Sequence, residues 1–195
     1  MTAPPDPFTH FTGWFAEAQA SELNDANAMS VATSTPDGRP SVRILLLKGF
    51  DEQGFTFFSN LQSRKGGELL ANQHVALCFH WKSLRRQVRV EGRVAKVSDA
   101  DADGYFQSRP YGSRVGAWAS LQSQPLAARA DLEARVQEFT EKYPEAAGVP
   151  RPPHWSGFRL APDQVEFWQD MPYRLHDRLV YTRAGSGWTT QRLYP

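Results

Sequence analysis

The sequence lacks the features that accompany disulfide bonding, export or membrane insertion. Its single cysteine, Cys78, rules out an internal disulfide. The first eight residues include three prolines but no basic segment followed by an apolar one, and no apolar run approaches the length of a membrane span. We therefore expect a cytoplasmic protein without a membrane partner.

The chain also lacks an excess of either charge. Its 22 Lys and Arg residues nearly balance 21 Asp and Glu residues, for a formal net charge of +1. Because this balance creates no strong field around the protein, nucleic acid is not an expected partner. A single-stranded nucleic-acid binder that uses Arg85, Arg86 and Arg89 beside exposed aromatic rings is an alternative from another class of protein.

Common cofactor and metal motifs are missing as well. The sequence contains no Gly-x-Gly-x-x-Gly after a strand, no phosphate-binding loop, no His-Glu-x-x-His and no Cys-x-x-Cys. The five histidines are scattered without ligand spacing, and nothing marks Cys78 as a nucleophile. We expect no metal, and we expect any catalysis to depend on a bound organic cofactor.

What is present is the composition of one globular domain: 195 residues, 41% hydrophobic and 22% charged. Apolar residues at helical spacing predict helices over residues 6–23, 63–72, 98–108 and 126–142. Period-two patterns predict strands over residues 28–35, 41–48, 55–59, 75–81, 87–97, 156–160, 164–169, 175–182 and 188–193. Because most strands follow one another through hairpins, we expect a mainly β protein, an antiparallel barrel with helices packed outside.

The first candidate site is the start of the helix predicted over residues 63–72. Ser63 is a suitable N-cap, but Arg64 and Lys65 in the first turn oppose the helix dipole. A bound anion would reverse this cost, and the free N–H groups, the hydroxyl and the two cations would form a phosphate site. A solvated helix start fits the same residues. Arg43 and Lys48 add two cations on the neighbouring hairpin, but they face opposite ways in a regular strand.

A second candidate anion site lies at the end of the next predicted helix. Tyr105 and Arg109 are four residues apart and share a helix face, and Pro110 ends the helix so that Ser113 can fold back beside them. Two hydroxyls and a guanidinium would suit a phosphate. An exposed helix end, where Arg109 only satisfies the last carbonyls, is the alternative.

The third and most specific candidate lies near the C-terminus. Period-two spacing predicts that Arg174, His176 and Arg178 share one face of a strand, with Leu175 and Leu179 turned towards the core. Such a row of cationic or titratable groups would suit an anionic, planar ligand.

An aromatic residue upstream of this row strengthens the case for a flat ligand. Trp168 would give an aromatic cofactor a surface to pack on. The alternative is an exposed strand face whose charges pair with Glu166 and Asp177.

At these residues the chain resembles the pyridoxamine 5'-phosphate oxidase family, also called the pyridoxine 5'-phosphate oxidase family. The segment EFWQ, followed after four residues by RLHDR at 174–178, is similar to that family's C-terminal signature. Further similar segments occur in the same order, from about the first helix to the end of the chain. They are RILLLK at 43–48, NLQSRK at 60–65, RQV at 86–88, YFQSRP at 105–110, GAW at 116–118 and QS at 122–123.

The resemblance implies an FMN-binding split β-barrel that works as a homodimer, with each flavin in a cleft between subunits. The region from about residue 154 to 195 would contribute to dimerisation. The residues implied to contact FMN are Arg43, Lys48, Phe58, Ser59, Arg64, Lys65, Gln87, Gln122, Ser123, Trp168 and Arg178. Those implied to hold the substrate phosphate are Lys48, Tyr105, Arg109 and Ser113. Arg174 and His176, the implied catalytic residues, would cover the substrate's pyridine ring.

The implied activity is the oxidation of pyridoxamine 5'-phosphate or pyridoxine 5'-phosphate to pyridoxal 5'-phosphate. In this family a hydride passes from the C4' carbon to flavin N5, and O2 then reoxidises the flavin to give H2O2. The protein's share is positioning and electrostatics. An oxidase of the same fold acting on another ring, such as the phenazine-pathway flavoproteins, and a non-catalytic carrier of FMN or pyridoxal phosphate are the alternatives.

The chain departs from the family pattern in places. Residues 1–5 stand where relatives often have a longer basic arm, so we expect them to be disordered and substrate closure to be weaker or built differently. Phe58 and Ser59 occupy positions where tyrosine and threonine are frequent, which removes a side-chain hydroxyl at Phe58. Tyr194 is bulkier than the residue usual at that position.

Overall fold

The computed structural model describes residues 4–195, in which nine strands form one antiparallel sheet and five α-helices pack around it. The strands are β1 (Ala28–Ser34), β2 (Pro40–Leu46), β3 (Gly49–Asp51), β4 (Gly54–Asn60), β5 (His74–Trp81), β6 (Arg86–Lys96), β7 (Trp155–Gln169), β8 (Asp177–Ala184) and β9 (Gly187–Arg192). The helices are α1 (Pro7–Ser21), α2 (Arg64–Ala71), α3 (Asp99–Ser108), α4 (Tyr111–Ala119) and α5 (Arg129–Lys142). None of these helices is both long and apolar enough to span a membrane.

The long strand β7 joins the two parts of the sheet. The order is β2-β1-β5-β6-β7-β4-β3, and β8 and β9 extend the sheet from the second half of β7. Strand β6 shifts register between Glu91 and Gly92, and a Cβ at Gly92 would collide with the carbonyl oxygen of Ala161. This bulge lets the sheet curl. The predicted antiparallel barrel with external helices is confirmed, as a curled half-barrel.

Helix α1 packs on the core of the half-barrel. Asp6 is its N-cap, because the Asp6 carboxylate accepts hydrogen bonds from the backbone N–H groups of Phe8 (2.9 Å) and Thr9 (2.8 Å). Phe8 and Phe11 are buried, with their ring centroids 5.8 and 5.0 Å from that of Phe55. Each such buried ring stabilises the fold by about 1.5–3 kcal/mol. The helix predicted over residues 6–23 is therefore confirmed, with slightly shorter bounds.

The residues that precede α1 were predicted to be disordered. Residues 1–3 lie outside the described residues. The carbonyl oxygen of Pro4 accepts a hydrogen bond of 3.1 Å from the hydroxyl of Tyr181, which ties this point of the chain to strand β8.

A second, smaller core lies beside the sheet, between α3, α4, α5 and the start of β7. Its buried members are Phe106, Val115, Ala119, Phe139, Val149 and Trp155. Helix α4 was not predicted, because Pro110 precedes it and Gly112 and Gly116 lower its intrinsic helix propensity. Burial of Val115 and Ala119 in this core stabilises the helix instead. The second core fixes α3 and α4 against the barrel.

Two further elements differ from the prediction. The strands predicted over residues 156–160 and 164–169 are one strand, β7, because Pro162 lies opposite Gly92 at the bulge, where a strand tolerates proline. The three-residue strand β3 was not predicted either. It is too short to show a period-two pattern.

The predicted strand row of Arg174, His176 and Arg178 is wrong. Pro172–Arg174 is a 3-10 turn in which Tyr173 and Arg174 have φ values of +60° and +62°, and β8 begins only at Asp177. The prediction ignored the turn that the sequence Met-Pro favours at 171–172. Leu175, predicted to face the core, is 68% exposed, whereas Leu179 is buried as expected.

Candidate active site

A cleft of about 510 Å³ lies between the half-barrel and helices α3 and α4. Strand β2, strand β4, the first turn of α2 and Trp155 complete its walls. Many of the predicted site residues line it, from both the cofactor and the substrate-phosphate sets. They are Lys48, Phe58, Ser59, Lys65, Tyr105, Arg109, Ser113 and Gln122, and we call them the cleft group. The fold therefore brings together residues that are more than 70 positions apart in the sequence.

The start of helix α2 presents a buried cation to this cleft. Ser63 caps the helix, with its hydroxyl oxygen accepting from the N–H of Gly66 at 3.2 Å. Lys65 is buried, and its Nζ donates to Oε1 of Gln122 at 2.7 Å. Burial, with the nearby charge of Arg43, lowers the pKa of Lys65. An anion in the cleft would offset this cost of burying the charge.

Arg43 and Arg64 share one buried carboxylate, that of Glu68. Arg64 donates to Glu68 from Nε at 2.9 Å, and Arg43 lies 3.5 Å from the same carboxylate. The hydroxyls of Ser41 and Thr33 donate to it at 2.5 Å each. Burial alone would raise the pKa of Glu68, but the hydrogen bonds from Ser41, Thr33 and Arg64 outweigh it and lower the pKa to about 2. Glu68 is therefore ionised, and it orients both arginines.

The terminal nitrogens of Arg43 are fully engaged in this network. NH1 donates to the carbonyl of Val31 (3.1 Å) and to Thr33 (2.6 Å), and NH2 donates to Ser41 (2.6 Å). Glu68 was missed by sequence reasoning, although its position four residues after Arg64 is the spacing of an ion pair on a helix.

Arg64 and Ser123 open onto a neighbouring depression of about 660 Å³. Its lining also includes Ser63, Arg39 and Gln124. The Arg64 side chain is 58% exposed, and Ser123 has a φ of +71°. Arg64 and Ser123 are thus the sequence neighbours of Lys65 and Gln122 in the cleft group, but they line a more open surface.

Three aromatic rings form a stack along one wall of the cleft. The Phe58 ring lies 4.0 Å from that of Tyr105 and 5.3 Å from that of Trp155, with interplanar angles of 20° and 10°. Gly157 is paired with Phe58 across β4 and β7, and a Cβ there would lie 2.7 Å from the Phe58 ring. Phe58 can therefore lie flat across β7 only because position 157 is glycine. Neither Trp155 nor Gly157 was predicted as a site residue.

Arg109 lies at the end of this aromatic wall. Its guanidinium carbon is 4.9 Å from the Trp155 ring centroid and 5.6 Å from that of Phe106. Its NH1 is buried and makes no hydrogen bond within residues 4–195, and burial lowers the pKa of Arg109. The hydroxyl of Ser59 is likewise buried without a partner in this part of the chain. Both residues line the cleft, and a phosphate there would pair with the charge of the Arg109 guanidinium.

The remaining predicted residues lie elsewhere, around the end of β7. They are Gln87, Trp168, Arg174, His176 and Arg178, and we call them the C-terminal group. Gln87 and Arg178 are the cross-strand partners of Trp168. The Trp168 and His176 rings lie 4.5 Å apart, and Nδ1 of His176 is 3.1 Å from Oδ1 of Asp170. Trp168 and His176 therefore form one surface, although Arg174 and His176 precede the strand.

A second buried glutamate holds Arg178. The carboxylate of Glu166 accepts from Nε of Arg178 at 2.7 Å and from NH2 at 3.1 Å. Arg89 lies 3.3 Å from the same carboxylate. The bidentate bond to Glu166 raises the pKa of Arg178. The alternative of charge pairing with Glu166 is thus observed for Arg178.

The two groups do not meet within one protomer. Phe58 pairs with Gly157 near the start of β7, and Trp168 follows eleven positions later on the same strand. At about 3.3 Å per residue this is a contour of about 36 Å. No member of the C-terminal group lines the cleft. Within residues 4–195, no group of three or more His, Cys, Asp or Glu side chains is placed to hold a metal ion.

Comparison with known proteins matches nearly the whole chain to one family. Residues 15–143 match the family model described as pyridoxamine 5'-phosphate oxidase, and residues 155–195 match that of the pyridoxine 5'-phosphate oxidase C-terminal dimerisation region. The chain belongs to the pyridoxamine 5'-phosphate oxidase family. This confirms the resemblance found in the sequence. The cleft group lies within the first matched region, and most of the C-terminal group lies within the second.

Several curated relatives of this family are similar over almost their full length. The pyridoxine/pyridoxamine 5'-phosphate oxidase of Rhodospirillum rubrum is 63% identical, with 97% of this chain and 96% of the relative covered. The protein of the same name from Myxococcus xanthus is 59% identical, with 98% and 93% covered.

Solved structures share the fold of this chain. PhzG from Burkholderia lata, solved in complex with tetrahydrophenazine-1-carboxylic acid, has a TM-score of 0.92 at 32% identity, with 98% of this chain and 94% of that chain covered. A pyridoxamine 5'-phosphate oxidase-related, FMN-binding protein from Nostoc punctiforme has a TM-score of 0.77 at 20% identity over 100% of both chains, and this similarity shows the fold alone.

Proposed function

We propose that this protein is an FMN-dependent oxidase that converts pyridoxamine 5'-phosphate or pyridoxine 5'-phosphate to pyridoxal 5'-phosphate, with O2 as the final acceptor and H2O2 as the second product. The observation that carries the proposal is the cleft, where Lys65 and Arg109 line one space beside a stack of aromatic rings. The names of relatives at 59–63% identity support the same activity.

The donors of the cleft fit a phosphorylated flavin. Lys65 and Arg64 bring two cations to the start of α2, and the unpartnered hydroxyl of Ser59 lies on the adjacent strand. Charge-assisted donors at a helix N-terminus suit the FMN phosphate. The residues proposed to hold FMN are Arg43, Lys48, Phe58, Ser59, Arg64, Lys65, Gln87, Gln122, Ser123, Trp168 and Arg178. When bound, FMN supplies the acceptor for the hydride that the substrate loses.

The substrate phosphate is proposed to bind at the other end of the cleft. Arg109, Tyr105 and Ser113 meet there from α3 and α4, and Lys48 approaches from the end of β2. The Arg109 guanidinium, which has no carboxylate partner within residues 4–195, then gains an anionic one. Because these donors are in place before the substrate binds, they hold it without reorganisation, which is how an enzyme positions reacting atoms.

A homodimer would complete the site. A two-fold axis could place the C-terminal group of one protomer over the cleft of its partner, which a single protomer cannot do. Val42 and Ile44 on the edge strand β2 are 66% and 62% exposed, and Ile44 also lines the cleft. The apolar edge beside the cleft and the match to a C-terminal dimerisation region both support this assembly.

Arg174 and His176 are the proposed catalytic residues. The imidazole of His176 is held at Nδ1, which lies 3.1 Å from Oδ1 of Asp170 and 3.3 Å from the backbone nitrogen of Met171, and we propose that Nε2 faces the substrate. The ring also packs at 4.5 Å from Trp168. Arg174 adds a positive charge next to this surface. Together they would cover the pyridine ring, exclude water from it and keep the C4' carbon in register for hydride loss.

Anaerobic mixing of the FMN-loaded protein with pyridoxine 5'-phosphate tests the function. The proposal predicts that the visible flavin absorption bleaches, and that admission of air restores it with release of H2O2. Bleaching by a reduced phenazine carboxylic acid but not by the vitamer would favour the phenazine-type alternative, which the similarity to PhzG motivates. Binding of the vitamer without bleaching would indicate a carrier and would refute the enzyme.

A further inference from the structure

Four of the arginines predicted at the site are held in two different ways. Arg43 and Arg64 are paired with the buried carboxylate of Glu68, and Arg178 is paired with Glu166. Within the described residues, no carboxylate lies within 4.0 Å of the Arg109 guanidinium. Arg109 is thus a half-buried cation that nothing in residues 4–195 neutralises.

The face of Trp155 replaces the missing carboxylate. Trp155 is only 7% exposed, and its ring centroid lies 4.9 Å from the Arg109 guanidinium carbon. A tryptophan face attracts a guanidinium through the ring quadrupole and through stacking, and it uses none of the five N–H donors. A carboxylate at this place would cancel the positive charge and occupy two of those donors. The ring therefore fixes Arg109 and leaves its charge and its donors for a ligand.

The Trp155 ring is itself held rigidly. Phe58 stacks against one side at 5.3 Å, and Phe106 meets it edge-on at 5.1 Å. Gly157 gives Phe58 the space to lie flat. Phe58 and Trp155 line the cleft, and all three rings pack in or against the second core, so the position of Arg109 is determined by packing in that core.

We propose that Trp155 is a positioning residue for the phosphate of the substrate: it holds the Arg109 guanidinium at the cleft by a cation–π contact that leaves the arginine's charge uncompensated. The inference rests on the proposed function of this cleft, and it adds a specificity determinant for phosphorylated over non-phosphorylated vitamers. Trp155 acts through Arg109 and takes no part in hydride loss.

The test compares Trp155→Leu and Trp155→Phe with the wild-type FMN-loaded enzyme. Four quantities are measured: KM for pyridoxine 5'-phosphate, kcat at saturation, the inhibition constant of inorganic phosphate, and the Kd of FMN. A cation–π contact of this kind corresponds to about a 2- to 30-fold change in affinity. We expect Trp155→Leu to raise KM and the phosphate inhibition constant by the same factor in this range. kcat and the FMN Kd should stay within about twofold. Trp155→Phe keeps an aromatic face, so it should retain most of the wild-type affinity for phosphate.

Trp118→Leu is the matched control, because Trp118 belongs to the same core but stacks on Phe139 at 5.7 Å instead of on Arg109. It should lower the melting temperature without a specific change in phosphate inhibition. If Trp155→Leu does not fold, a double-mutant cycle between Trp155→Met and Arg109→Gln replaces it. Trp155→Met, which fills much of the space without an aromatic face, should then weaken phosphate binding in the wild-type background and have no effect in the Arg109→Gln background.

Unchanged phosphate inhibition in a folded Trp155→Leu or Trp155→Met variant, or an equal change in Trp118→Leu, would overturn the inference. So would a parallel loss of FMN affinity, since it would show that Trp155 acts only through general packing. Binding of inorganic phosphate, followed by calorimetry, separates this inference from the proposed function. Trp155-dependent phosphate binding without vitamer turnover would refute the function and uphold the role of Trp155.

Discussion

Replacing Glu68 with glutamine should cost a large part of the stability of the fold in a pH-dependent way. The Glu68 side chain is 5% exposed and pairs with Arg43 and Arg64, and hydroxyl donors complete its hydrogen bonds. The neutral amide cannot accept from all of these donors and turns its own N–H groups towards some of them. Removing one partner of a buried ionic network costs about 3–5 kcal/mol.

The pKa of Glu68 gives a second value for the same effect. It is lowered from an ordinary 4.5 to about 2, which corresponds to about 3 kcal/mol of stability when the carboxylate is ionised in both states. Because the folded-state pKa lies below the unfolded one, this contribution is complete above about pH 4.5. It is lost as the pH falls towards 2. We expect Glu68→Gln to unfold about 3 kcal/mol more easily than wild type at pH 7, and the difference to fall to about 1 kcal/mol by pH 2.5.

Urea unfolding of the FMN-free protein, followed by tryptophan fluorescence from pH 7 to pH 2.5, measures this difference without a contribution from cofactor affinity. Glu133→Gln is the matched control, because Glu133 also pairs with an arginine at i,i+4 spacing, namely Arg129, but is 66% exposed. An exposed pair of this kind contributes about 0.5 kcal/mol or less. A Glu68→Gln loss as small as that of the control, or a loss that does not change with pH, would refute the reasoning.

Three further predictions concern the site. Arg174→Ala should slow anaerobic flavin reduction while the protein stays yellow; unchanged turnover would contradict its assignment to the substrate. Arg64→Ala should weaken FMN binding about 10- to 100-fold, because a charge-assisted phosphate contact contributes about 1.5–3 kcal/mol; an unchanged FMN Kd in equilibrium dialysis would count against the phosphate site at α2. Gly157→Ala should destabilise the protein by about 1–3 kcal/mol and weaken phosphate binding, because the added Cβ would lie 2.7 Å from the Phe58 ring; Gly104→Ala, with no atom within 4 Å of the new Cβ, should do neither.

Interactions between neighbouring residues were sufficient to predict the helices with a clear N-cap and the strands with a clear alternation of polar and apolar residues. Asp6 followed by Pro7 marks the start of α1, and Ser63 and Ser98 mark the starts of α2 and α3, because capping depends only on neighbouring backbone groups. Alternation of polar and apolar residues in β6 likewise reports which face is buried.

The contacts that decide the site could not be predicted in this way, because they depend on tertiary packing. Helix α4 forms because the second core buries Val115, against the low helix propensity of its glycines. Trp155 contacts Arg109 across 46 positions of sequence, and no local pattern connects them. The strand predicted through Arg174 failed for the opposite reason: a local turn at Pro172 overrides the period-two pattern that surrounds it.

Most of the candidate residues came from the resemblance to a family and were then located in the structure. The geometry brings eight of them into one cleft and leaves five at the far end of β7. The sequence cannot show whether the two groups that build one site come from one protomer or from two, because a two-fold axis is a property of the assembled surface.

Subunit complementation tests the central proposal, an oxidase site built from the cleft group of one protomer and the C-terminal group of its partner. Arg109→Gln and Arg174→Ala, each with little activity alone, are unfolded together in equal amounts, refolded and loaded with FMN. Random pairing makes half of the dimers mixed, and each mixed dimer has one site with no substitution. The account predicts recovery of about a quarter of the wild-type rate of pyridoxal 5'-phosphate formation. No recovery in dimers shown to be mixed would contradict it, because both groups would then have to act within one protomer.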